Sequence, residues 1–156
     1  MKQINFTGIF LITIFLSQAA IGEDDNLCRH LTRFAQSVAV NETAVIELHT
    51  SWGANFKDDP EEALTAKRCI HNNFPAGKAV CKYLMKNSST EFSGINFKNI
   101  LLCLDPKTKI DSDVYFNMAS VSFSFGTDSR GALIELSLEK DENIGGMVLK
   151  LEADGY

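Results

Sequence analysis

The chain has 156 residues, 45% of them hydrophobic and 22% charged, with 3 Pro, 10 Gly and a formal net charge of −5. That composition is too apolar for a disordered segment and too poor in Pro for a linker. It is also too acidic for nucleic-acid binding, which needs a basic footprint, and the length suits one domain.

Residues 1–22 hold one charged side chain, Lys2, ahead of the apolar stretch Ile9 to Leu16. Crossing ~30 Å of hydrocarbon takes about 20 apolar residues, so this stretch is too short to span a membrane. Its length is that of the central region of a secretory signal. Ala20-Ile21-Gly22 supplies the small residues of a cleavage site, and Ser17-Gln18-Ala19 is an alternative. The sequence therefore predicts a signal peptide over 1–22 and a single α+β domain over 23–156, secreted or periplasmic, with no membrane contact after cleavage. The remaining 134 residues would carry 14 Lys+Arg against 20 Asp+Glu.

The four cysteines, Cys28, Cys69, Cys81 and Cys103, agree with export. Their spacings of 41, 12 and 22 contain no CxxC pair, so zinc ribbons and thioredoxin-type centres have no support. In an oxidising compartment an even count predicts two disulfides. The favoured pairing is Cys69–Cys81, as a local staple between two helices, with Cys28–Cys103 tying the first helix to the last.

Along the mature chain, Asp24 and Asp25 can cap a first helix, in which Leu27, Leu31, Phe34 and Val38 form one stripe. Residues 43–50 then alternate, with Ala44, Ile46, Leu48 and Thr50 on one side, as in a half-buried strand. Asp59-Pro60-Glu61-Glu62 carries the features of a helix start: Asp59 as N-cap, Pro60 in the first turn and Glu62 completing a capping box. A helix is accordingly expected up to Ile70. Residues 78–86 read as a further helix with Val80, Tyr83 and Leu84 inward. Phe92, Ile95, Ile100, Leu101 and Leu104 suggest another, in which Gly94 is a weak point.

From Asp113 onward the pattern is β. Residues 114–125 alternate, but the apolar set changes face near Met118-Ala119, which suggests a bulge. Gly126 to Gly131 reads as a hairpin loop. Ala132, Ile134, Leu136 and Leu138 form one face of the next strand, and Met147, Leu149, Leu151 and Ala153 one face of the last. The expected architecture is an antiparallel sheet of about four strands, one N-terminal strand plus a C-terminal three-stranded meander. Three or four disulfide-tied helices would pack on one face.

Catalytic signatures are absent. His30, His49 and His71 fall on separate elements, with no HExxH spacing, and GxSxG, P-loop and GxGxxG motifs are missing. No metal or other cofactor is expected. The acids Asp58, Asp59, Glu61 and Glu62 are explained by helix capping as readily as by a carboxylate pair. The only Trp, Trp52, lies in an aromatic and acidic loop with Phe56, Asp58 and Asp59, which suits a protein-binding surface. The same residues could instead lid the sheet edge. The hairpin loop adds Asp128 and Arg130 as candidate contacts. Asn41-Glu42-Thr43 and Asn87-Ser88-Ser89 fit the glycosylation sequon.

These features point to a small exported non-catalytic binding protein, of the inhibitor or immunity-factor type, acting on a secreted or periplasmic hydrolase. Its acidic surface would favour a basic protein partner. One alternative is a small hydrolase with a dispersed site such as His49, Asp58 and Glu47. Another is a small-ligand carrier using a cleft between sheet and helices.

Overall fold

A computed structural model describes residues 26–156. The expected leader and the caps Asp24 and Asp25 lie outside the described residues. The first helix, α1 (Leu27–Ser37), is capped by Asn26, whose side chain accepts the N–H of Arg29 at 3.2 Å. There follow β1 (Thr43–Trp52), β2 (Thr65–Ile70), α2 (Pro75–Asn87), α3 (Ser93–Leu104), β3 (Ala119–Thr127), β4 (Arg130–Lys140) and β5 (Met147–Gly155). The chain is α+β. All strand pairs are antiparallel, in one five-stranded sheet of order β2-β1-β5-β4-β3.

One sheet face carries Ile46, Leu48, Ile134, Leu136, Leu149 and Leu151, all buried against the helices. The helices answer with Leu31, Phe34, Val80, Leu84, Phe97 and Ile100. Cross-strand partners share a face, so the register makes the opposite face polar: Glu47, His49, Arg68, Glu135, Lys150 and Glu152 lie on it. Alternation at period two sorts the two sets.

The sheet has one strand more than expected, because the segment after Asp59 is not a helix. Asp59 Oδ1 accepts the N–H of Glu61 at 3.1 Å in a local turn, and the chain runs on into β2. A helix of about ten residues gains little on its own. The extended form lets residues 65–70 pair with Glu47–Trp52 and supply partners to that side of β1. Nonlocal pairing outweighs the capping signature.

Both disulfides join the cysteines as expected, Cys28–Cys103 and Cys69–Cys81. The second is a strand-to-helix staple, from β2 to α2, rather than one between helices. β3 begins at Ala119, and its pairing with β4 is unbroken from Ala119 to Thr127. The face change near Met118 therefore marks the start of a strand, not a bulge within one.

Candidate functional site

The six residues expected to meet a partner fall at two ends of the sheet. β1 runs from Thr43, opposite Asp154, to Trp52, and Thr50 is opposite Met147. Arg130 and Gly131 open β4 beside Gly155, at the Thr43 end. Ten residues of strand separate the two ends by roughly 30 Å. Trp52, Phe56, Asp58 and Asp59 thus lie at one end of the sheet, Phe56 and Asp58 beside His49 and Arg68 on the open face, and Asp128 and Arg130 cannot join them in one compact patch.

At the Trp52 end the loop 53–64 divides its side chains. Trp52 is 61% exposed and Leu64 82% exposed. Both lie at the end of the β1–β2 ladder, where Trp52 is opposite Thr65 and the N–H of Gly53 donates to the carbonyl of Leu64 at 2.8 Å. Phe56, by contrast, is 4% exposed. It sits edge-on to the His49 ring, and the Arg68 guanidinium lies over its face at 4.9 Å. Arg68 also donates two hydrogen bonds to Asp58, at 2.7 and 3.1 Å, and this pairing holds the Asp58 carboxyl below the usual carboxylate range. Glu61 and Glu62 remain exposed beside Leu64.

Next to this loop, on the open sheet face, His49 is buried between two carboxylates. Its Nδ1 lies 2.8 Å from Oδ2 of Asp141. Its Nε2 is buried and lies 3.4 Å from Oε2 of Glu47, without an aligned hydrogen bond. Asp141 is fixed by the β4–β5 turn, where its other oxygen accepts the N–H groups of Asn143 and Ile144, each at 3.0 Å. Burial pushes the Asp141 carboxyl up, but these bonds and the His49 contact outweigh it and leave the group below its ordinary value. The cluster borders a shallow hollow of about 490 Å³ that also meets Arg68 and Lys150.

Glu47 and His49, named from sequence, do converge, and Asp58 adjoins them through Arg68. Asp141 was missed. Its only local sign is the turn sequence 141–146, and 92 residues separate it from His49. Leu64 was missed because it was assigned to the helix that the structure replaces.

At the far end, Asp128 occupies the exposed hairpin turn. Arg130 donates to the carbonyl of Val38 at 2.7 Å and reaches that of Tyr156 at 3.4 Å. Its guanidinium ties the end of α1 to the C-terminal strand. Asn41 and Asn87, the two sequon residues, are both exposed.

Among the described residues no group of three or more His, Cys, Asp or Glu is placed to hold a metal ion, and no helix is long and apolar enough to cross a membrane. Comparison with protein-family models, curated proteins and solved structures gave no match to this chain.

Proposed function

We propose that this is a secreted or periplasmic protein-binding protein that grips its partner with the Trp52 end of the sheet. The observation that supports it is the exposed Trp52 at the end of β1, with Glu61, Glu62 and Leu64 exposed in the loop that joins β1 to β2. A large aromatic side chain held away from the core is a typical anchor of binding energy. The neighbouring acids favour a basic partner surface and speed encounter with it. An inhibitor or immunity factor that covers the basic cleft of a secreted hydrolase has this chemistry. Two disulfides suit an oxidising compartment.

The experiment is retention of extracellular or periplasmic proteins on the immobilised disulfide form. Trp52→Ala is expected to weaken the retained complex by more than ~1 kcal/mol, about fivefold, with the fold intact. Undiminished affinity in that variant would sink the reading.

A second reading, a small hydrolase, has the His49–Asp141 pair in its favour, since a carboxylate behind an imidazole is how a general base is oriented. Against it stands the burial of Nε2 beneath Glu47. Hydrolysis of an ester, peptide or glycoside panel that disappears in His49→Gln would favour it. The carrier reading has less in its favour, because Leu31, Phe34, Phe97, Ile100, Ile134 and Leu136 pack together between sheet and helices.

A further inference from the structure

Among the described residues the sheet has two free edges, and they are built differently. β2 is six residues long, carries Lys67 and Arg68, and is stapled to α2 through Cys69–Cys81. Lys67 Nζ also donates to the carbonyl of Ser88 at 3.0 Å, closing over that side. Short length, charge and a covering contact are the usual guards of an edge strand. β3, at the other edge, is nine residues long and reads Ala-Ser-Val-Ser-Phe-Ser-Phe-Gly-Thr. It has no charged residue and no proline, and no bulge interrupts its pairing with β4. Alternate N–H and C=O groups along its outer side are left as a template for another strand.

We propose that β3 pairs antiparallel with β3 of a second copy of this chain. The two sheets join into one, about a two-fold axis near Phe123. Three features select a second copy as the occupant. First, the strand is self-complementary in that register. Ser122 faces the partner's Ser124, Val121 faces the partner's Phe125, and Phe123 faces its own counterpart. Second, Val121, Phe123 and Phe125 are only half-buried along the rim of the core, on the helix side of the sheet. The same row from a second copy continues their packing. Third, the serine rows keep like charges apart. The acidic side chains nearest this edge on the open face are Glu135 and Glu139 of β4. Two interposed β3 strands put the β4 strands of the two copies about 14 Å apart, three strand spacings. That exceeds the Debye length of about 8 Å at physiological salt, so an acidic chain meets little repulsion across this edge.

The test is sedimentation of the purified, disulfide-bonded protein over a range of concentrations, with amide exchange followed along β3. A reversible dimer is expected, and exchange within residues 120–126 should slow as the dimer fills. Ser122 and Ser124 are exposed on the open face, so Ser122→Lys/Ser124→Lys leaves the core intact and sets lysines opposite one another across the two-fold axis. That variant should be monomeric at every concentration, with the melting temperature that the wild type shows at dilutions where it too is monomeric. A wild-type protein that stays monomeric overturns the proposal. So does a dimer that survives the two lysines, one that dissolves on Trp52→Ala instead, or an open-ended polymer.

Discussion

Nδ1 of His49 and Oδ2 of Asp141 lie 2.8 Å apart, both side chains almost wholly buried and contributed by opposite ends of the chain. The contact joins β1 to the β4–β5 turn, because Asp141 also accepts two backbone N–H groups there. Removing one partner of a buried hydrogen bond leaves the other unsatisfied, which costs about 1–3 kcal/mol. Asp141→Ala should lose stability in that range by urea unfolding.

The same carboxylate predicts a pH dependence. The folded Asp141 carboxyl titrates below its ordinary value of 3.8. A depressed carboxyl contributes stability that is fully present above the unfolded value and is lost as pH falls through the folded one. The stability gap between the wild type and Asp141→Asn should therefore be flat above the ordinary carboxylate range and should narrow as acid takes the pH beneath it. Unfolding curves at stepped pH check this. A gap that widens in acid would show that the ionised carboxylate is not the stabilising form.

Trp52 and Phe56 sit four residues apart in the chain and should respond oppositely to truncation. Phe56 is buried against His49 and beneath Arg68, so Phe56→Ala should cost on the order of 3–5 kcal/mol of stability. Trp52 is mostly exposed, and Trp52→Ala should change stability by no more than about 0.5 kcal/mol. Thermal unfolding of the two variants side by side distinguishes a lid from a contact residue. Equal losses would mean that Trp52 is held by the fold and is not available to a partner.

The disulfides offer a comparison inside one molecule. Cys28–Cys103 spans 75 residues and Cys69–Cys81 spans 12. In the chain-entropy picture, loops of those lengths contribute about 4.5 and 3 kcal/mol. Replacing the first pair by alanines should therefore destabilise more than replacing the second, by about 1.5 kcal/mol. Denaturant midpoints of the two double variants read the order directly. The reverse order would imply that residues 69–81 constrain the unfolded chain less than they hold β2 to α2 in the native state.

What the sequence made legible was local. The stripe Leu31, Phe34 and Val38 and the alternation of Ile134, Leu136 and Leu138 are periodic in the chain, and each lands in the core. The cysteine pairing came out as expected, although Cys69 sits on a strand and not on the helix assigned to it. β2 was hidden for the converse reason. Its residues show no alternation of burial, and its stability comes from pairing with β1 across a loop that contains a helix-like cap at Asp59. The candidate site was half visible on the same grounds. Glu47 and His49 are two apart on one strand and so share a face. Asp141 reaches them only because β5 lies beside β1 in the sheet. The bidentate tie between Arg68 and Asp58 was equally invisible while residue 68 was assigned to a helix.

Gly94 shows a local rule overturned by packing. By helix propensity, alanine should be better than glycine by up to about 1 kcal/mol, and by less in the first turn of α3, where Gly94 lies. In the fold, the segment ahead of β3 crosses α3 at this point. A Cβ on Gly94 would run into the carbonyl oxygen of Phe116, with the backbone carbon and nitrogen of the same residue 3.0 Å away. Phe116 is itself fixed by its ring against Phe97 at 5.0 Å, and Lys98 Nζ holds the carbonyls of Asp111 and Ser112. The crossing segment therefore cannot yield cheaply. Overpacking of this kind typically costs about 1–3 kcal/mol, more than the propensity gain. Gly94→Ala should be net destabilising by thermal unfolding, and amide exchange should rise in residues 111–118 as that segment lifts away. A variant more stable than the wild type would mean that propensity wins and that the crossing is loose.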